Sequence, residues 1–338
     1  METAQEDMKL LGMFGIYQES RRIMAPWRRI FNQIALAFIL PLCFIILFQS
    51  GLSRFHFSRI PYQSRGERTY KSTDQVVHVR LNLKYVAFPF IFSLLSTSTV
   101  VHTIACIYAN REVTFKKFIN VIPQVCIRKR LIVTSIAIIV LMLIYIAVAV
   151  VTVAFCSGIG GFASLALTLI LSIGYIIGFV YISTVCQLAS VVTILEQSCG
   201  IEAMKRSRNL IKGKFRMALS LFFMSNVLVW TIEFVFYNLV VSELVSGMWK
   251  RALIATFCLA VLVTVYLYGL VLQTISYFVC KSYHNEIIDK PTLSQHLGEY
   301  ERLYEYPSVV QLRQICLIAL SKAVKSINIA LDQLLTMF

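Results

Sequence analysis

The chain has 338 residues, 58% hydrophobic and only 14% charged, against roughly 45–50% apolar and 25% charged in an average soluble domain. Lys and Arg number 32 and Asp and Glu 17, a formal net charge of +15. This balance excludes an ordinary soluble enzyme, a disordered chain and a secreted disulfide scaffold, and it suits an integral membrane protein with basic surfaces.

In chain order, the first element is a basic, partly amphipathic segment, Met8–Arg29. Leu10, Met13, Phe14, Tyr17 and Met24 form a stripe on which Arg21 intrudes, and Pro26 breaks the helix before Trp27-Arg28-Arg29. Six apolar stretches follow that are long enough to cross hydrocarbon, which takes about 20 residues: Ile30–Phe48, Tyr85–Ala109, Leu131–Phe155, Leu165–Ile194, Met217–Val241 and Ala252–Cys280. The fourth is longer than a bilayer needs and must tilt or project. No alternating barrel pattern is present, so the spans are helices. The first run lacks a small-residue cleavage site and reads as a retained signal-anchor. The expected fold is an all-α, polytopic membrane helical bundle of six spans with basic amphipathic interfacial helices. Its parts are a basic segment over 1–29, a six-span domain over 30–280 and a tail over 281–338.

Basic residues set orientation. Most of them flank the spans on the side of both termini, which predicts cytosolic N- and C-termini. The dissenting segment is the longest loop, Gln49–Lys84, with Arg54, Arg59, Arg65, Arg68, Lys71, Arg80 and Lys84.

Each odd-numbered span is preceded by such a basic segment, here called an elbow. The clearest is Gly200–Arg216. Ala203, Met204, Ser207, Leu210, Ile211 and Phe215 fall on one helical face, and Lys205, Arg208, Lys212 and Arg216 on the other, with Lys214 intruding. Another is Thr114–Pro123, where Phe115, Phe118, Ile119 and Ile122 recur at helical spacing ahead of Arg128-Lys129-Arg130. The periodicity predicts helices lying in the interface with the apolar side in the leaflet and cations towards anionic lipid. Three copies of elbow plus hairpin are expected. Ser20-Arg21-Arg22-Ile23 echoes Ser207-Arg208-Asn209-Leu210. In the tail, Leu312, Cys316, Leu320, Val324, Ile327, Leu331 and Leu334 form the stripe of a further amphipathic helix that docks on a membrane, a partner or the protein itself.

Candidate sites are few. Glu233 lies inside the fifth span and His102 inside the second. An ionisable group at depth is costly, so the two form a candidate intramembrane polar site: a proton relay, a cation site or an interhelical hydrogen bond. Gln187, Asn226 and Gln273 are further polar groups at depth. Gly174 and Gly178 make a GxxxG that reads as helix packing, and Pro41 and Pro89 are candidate kinks. Ser157-Gly158-Ile159-Gly160-Gly161 follows no strand and reads as a tight turn rather than a phosphate loop. The nine cysteines show no metal spacing; Cys126, Cys199, Cys280 and Cys316 are candidate palmitoylation positions. No catalytic, cofactor or metal motif stands out.

Three stretches carry a resemblance: Leu11–Ile16, Val191–Lys214 and Tyr277–His284. Together they resemble a plant family of uncharacterised six-span integral membrane proteins over roughly residues 8–300. The Gly200–Lys214 pattern is also similar to the membrane domain of bacterial glycerophosphodiester phosphodiesterases, and that similarity carries no hydrolase activity. The resemblance implies the architecture and leaves the biochemical role open. The expected function is non-enzymatic: a membrane-organising or partner-binding protein of the endomembranes or plasma membrane, touching anionic lipid on its cytosolic side and not nucleic acid. The alternative is a small-solute or ion transporter using Glu233 and His102.

Overall fold

A computed structural model describes residues 12–58, 71–109, 129–158, 162–196, 198–241 and 247–284. Every regular element among them is helical. Helix α1 is Met13–Met24. Helix α2 comprises Arg28–Ile34, a π-helical turn Ala35–Ile39 and Leu40–Ser58. Then come α3 (Lys71–Tyr108), α4 (Lys129–Gly158), α5 (Phe162–Leu195) and α6 (Ile201–Ile211). Helix α7 is Phe215–Phe236 continued by π-helical Tyr237–Val241, and α8 is Met248–Tyr283. Six of them, α2, α3, α4, α5, α7 and α8, contain segments long and apolar enough to cross a membrane. The chain is an integral membrane protein, and the spans lie where the hydropathy puts them, within a few residues.

The helices also run beyond the apolar stretches. The expected loop Gln49–Lys84 is largely helix, since α2 continues to Ser58 and α3 begins at Lys71. Hydropathy reports where lipid ends, and backbone hydrogen bonding does not stop there. The elbow Thr114–Pro123, the turn at Ile159–Gly161 and the tail stripe from Leu312 lie outside the described residues.

Proline acts locally. Pro26 sits in the turn between α1 and α2. Pro41 has no N–H to donate back along its helix, and the turn ahead of it widens: the Leu40 N–H bonds Ala35 O, five residues back. The second π turn has a different origin. Asn238 Nδ2 donates to Phe234 O at 2.8 Å, a side chain competing within the backbone ladder. Helix α3 passes through Pro89 uninterrupted.

The core gathers around the end of α8, where every residue from Leu270 to Cys280 is buried. Phe31, Ile34 and Ile39 of α2, Ile104 of α3, Leu188 and Val192 of α5 and Leu221 of α7 pack around it. Cys280 is fully buried in this core, which corrects its reading as an accessible acylation position.

Helix α4 contributes almost nothing to that core; Leu143, Val150, Val151 and Phe155 are exposed along it. So are Leu169, Ile170, Ile173, Ile176 and Ile177 in the first half of α5. The two halves clip to each other through Tyr145, whose hydroxyl donates to Tyr175 O at 2.8 Å, and Tyr175, whose hydroxyl donates to Thr152 Oγ1 at 3.0 Å. The GxxxG is half used. A Cβ on Gly178 would overlap the Tyr145 hydroxyl, while Gly174 has nothing within 4 Å of such a position.

Candidate functional site

Among the described residues, the ion pairs that link different helices, Glu196–Arg206 and Glu196–Lys281, lie at one end of the bundle, where α6 meets α5 and α8. Helix α6 realises the periodicity of its sequence: Ala203, Ser207, Leu210 and Ile211 are buried, and Lys205, Arg208, Lys212 and Arg216 are exposed. The apolar side is covered by protein, which corrects the expectation of an apolar face lying in the leaflet. Ser207 Oγ donates to Val185 O of α5 at 2.8 Å, and His284 Nε2 lies 3.1 Å from Leu210 O. What α6 presents outward is cationic.

Two glycines shape the elbow. Gly200, at φ 61°, caps its start, and its N–H donates to Thr134 Oγ1 of α4 at 2.8 Å. Gly213, at φ 97°, makes the turn into α7; a Cβ there would overlap the Tyr283 ring. Lys214 Nζ stands 5.7 Å from the centre of the same ring, within reach of a cation–π contact.

Helix α1 repeats the plan. Ile16, Ser20 and Ile23 are buried at the spacing of Ala203, Ser207 and Leu210, with a serine in the middle of each set. The serines differ in use. Ser20 Oγ donates within its own helix to Ile16 O at 2.7 Å, whereas Ser207 reaches across to α5. A three-residue turn follows each elbow, Ala25–Trp27 and Lys212–Lys214.

A carboxylate that sequence reasoning did not single out organises this end. Glu196 follows α5 directly and is only 15% exposed. Its Oε1 accepts from the Tyr277 hydroxyl at 2.8 Å and from Lys281 Nζ at 3.2 Å. Its Oε2 accepts from Arg206 Nε at 3.1 Å. Burial pushes the carboxyl up, but the Tyr277 hydroxyl, the Lys281 ammonium and the Arg206 guanidinium outweigh it and hold it below the ordinary carboxylate range. One acid thus ties α5, α6 and α8 together. The sequence signal was a lone acid at the mouth of a span beside a basic elbow, and Tyr277 one helical turn before Lys281.

The groups at depth are arranged differently from expectation. Gln187 Nε2 donates to Asn226 Oδ1 at 3.4 Å, and Gln273 Nε2 donates to Gln187 O, so α5, α7 and α8 are linked by amides. Glu233 and His102 are not joined. His102 is buried, with Cys106 Sγ 3.6 Å from its Nδ1. Glu233 is half-buried, and Cys43 of α2 lies within its electrostatic reach. His102 is six residues from the elbow end of α3 and Glu233 eighteen from the elbow end of α7. At 1.5 Å per residue their depths differ by about 18 Å. Among the described residues no group of three His, Cys, Asp or Glu is placed to hold a metal ion.

No curated protein and no solved structure matches the chain. A family model matches it from residue 1 to residue 315. Glu196, through Tyr277 and Lys281, and Leu210, through His284, bring the stretches 191–214 and 277–284 into contact. The chain belongs to the family described as Domain of unknown function (DUF8558).

Proposed function

We propose that the protein is a non-enzymatic, membrane-organising protein that gathers anionic lipid beneath a rigid cationic surface. The observation that carries this reading is the elbow α6. Its four basic residues point outward while its other side is fixed to the bundle by Ser207, by Arg206 through Glu196, and by the Gly213–Tyr283 contact. A cation near an anionic leaflet is worth about 1 kcal/mol, so four held in place amount to about 4 kcal/mol, nearly three powers of ten in affinity. The mode is contact through charge, not insertion of an apolar wedge. In this reading the elbow end and both termini are cytosolic, in an endomembrane or the plasma membrane. The transporter alternative leans on Glu233 and His102 acting together, and their separate depths weaken it.

The test is lateral recruitment. The full chain is reconstituted in phosphatidylcholine bilayers containing a minority of labelled phosphatidylserine, and energy transfer from a donor on the protein reports enrichment around it. Enrichment is expected at low salt, falling as ionic strength shortens the Debye length. Replacing Lys205, Arg208, Lys212 and Arg216 by Ala should remove most of it. Equal enrichment around both proteins would overturn the reading.

A further inference from the structure

A groove of about 1260 Å³ runs along the flank of the bundle between α1, the first half of α2 and the middle of α8. That exceeds a drug-sized pocket, about 300–1,000 Å³, and its two ends differ in chemistry. At the elbow end it is lined by Arg21, Arg22 and Arg28, all exposed. Glu19 Oε2 lies 3.8 Å from Arg22. Among the described residues neither Arg21 nor Arg28 has an ion pair.

Deeper along the same groove the walls are Leu36, Leu40, Leu259 and Val263. Thr256 and Thr264 also line this part, but each hydroxyl is already donated to its own helix, to Ala252 O and Ala260 O at 2.9 Å. Those two hydroxyls are spent within α8, so the deep half is mainly apolar; Asn32 and Tyr268 line the groove nearer the arginines. Leu36 is 64% exposed and belongs to the π turn ahead of Pro41, a distortion that concentrates at functional positions.

Length fits the same occupant. Arg28 and Leu40 stand twelve residues apart on α2, about 18 Å of helix rise. Half of a hydrocarbon core is about 15 Å. The groove therefore covers one leaflet, with cations where headgroups lie and apolar walls where acyl chains lie.

We propose that this groove holds one anionic phospholipid from the leaflet at the elbow end. Its phosphate sits between Arg21 and Arg28, and an acyl chain lies along Leu36, Leu40, Leu259 and Val263. A free phosphate would leave the apolar half uncovered. A second copy of this chain, at net charge +15, would bring like charge to the arginines. The assignment rests on the reading of the elbow end as a surface for anionic lipid, but it uses residues separate from the α6 face and adds a defined, stoichiometric site.

The experiment is native mass spectrometry of the full chain released from nanodiscs of equal phosphatidylcholine and phosphatidylglycerol. One retained phosphatidylglycerol is expected, favoured over phosphatidylcholine by about tenfold, the ratio that 1.4 kcal/mol supplies. Arg21→Ala with Arg28→Ala should abolish the preference. Leu36→Trp with Val263→Trp, which fills the deep half and leaves the arginines in place, should abolish retention; this arm reads the site independently if the arginine variant does not fold. Excess inorganic phosphate should not displace the lipid. An unchanged phosphatidylglycerol preference in the folded arginine variant, unchanged retention in the folded tryptophan variant, displacement by phosphate, or a lipid-free dimer joined through Leu36 and Val263 would overturn the proposal. The α6 alanine variant separates the two ideas: it should keep the groove lipid while losing lateral recruitment. A protein that loses recruitment on that variant but shows no retained lipid keeps the surface reading and refutes the groove. A retained groove lipid beside undiminished recruitment refutes the surface and keeps the groove.

Discussion

Glu196 and Lys281 are 85 positions apart in the chain and 3.2 Å apart in the fold. Their contact joins the end of α5 to the end of α8, and Arg206 on the other carboxylate oxygen adds α6. Removing the acid leaves two cations facing a partly buried gap. The loss falls between the ~0–1 kcal/mol of an exposed pair and the ~3–5 kcal/mol of a fully buried one. Glu196→Ala is expected to lower the melting temperature in detergent and to open the elbow to trypsin near Lys205. Arg206→Ala should do less, because Arg206 is already 35% exposed. Melting curves and digestion time courses of the three proteins check the order.

The same carboxyl sets a pH dependence with a definite sign. Its native pKa lies below the ordinary value, so its contribution is full above the unfolded value of about 4.3 and is lost as pH falls through the depressed native value. The melting-temperature difference between wild type and Glu196→Gln should stay constant from neutrality to about pH 5 and shrink below that. A difference that widens on acidification would contradict the assignment.

The two elbow glycines should differ in their tolerance of a methyl group. Gly200→Ala meets only the backbone cost of placing an L-residue at φ 61° and ψ −128°, about 1–3 kcal/mol, because its nearest neighbour beyond the turn, Val133 Cγ1, would stand at 3.7 Å. Gly213→Ala adds an overlap with the Tyr283 ring. It should cost more than Gly200→Ala, and Tyr283→Ala should recover part of the excess. Thermal melts of the singles and the double measure this directly.

The amide links at depth should be worth about 1 kcal/mol apiece, as interhelical hydrogen bonds in membranes are. Gln187→Leu and Asn226→Leu share one side-chain bond and should be non-additive. Gln273→Leu should add to Asn226→Leu, since Gln273 donates to the main chain of Gln187. A double-mutant cycle on detergent-solubilised protein distinguishes the two cases.

Glu233 provides the contrast between the competing functions. Glu233→Gln should leave anionic-lipid recruitment at the wild-type level. In the transporter reading the same change should abolish proton-coupled flux in proteoliposomes, so measuring both on one preparation decides between them.

Much of this was legible in the sequence. The six spans follow from runs of apolar residues, and the two faces of α6 from the positions of Ala203, Ser207 and Leu210 against Lys205, Arg208 and Lys212. What those faces touch was not legible. An amphipathic period is the same whether the apolar side meets lipid or another helix, and only the fold puts Val185 and Leu210 where they accept from or lie beside Ser207 and His284. Glu196 escaped notice for a related reason. Arg206 and Lys281 looked like charges that fix orientation, and nothing local links positions so distant in the chain. Glu233 and His102 were paired by chemistry alone, and counting residues from the elbow ends of their helices would have separated them.

The hairpin of α4 and the outer half of α5 carries a consequence for variation. Side chains such as Leu143, Val150, Ile170 and Ile177 touch no core, so exchanging one aliphatic residue for another there alters neither cavity volume nor complementarity. Within the chain, what those positions must satisfy is apolar character, a demand on composition and not on shape. Shape is demanded of this arm at its base, where the Thr134 hydroxyl receives the Gly200 N–H, and at the Tyr145–Tyr175 clip.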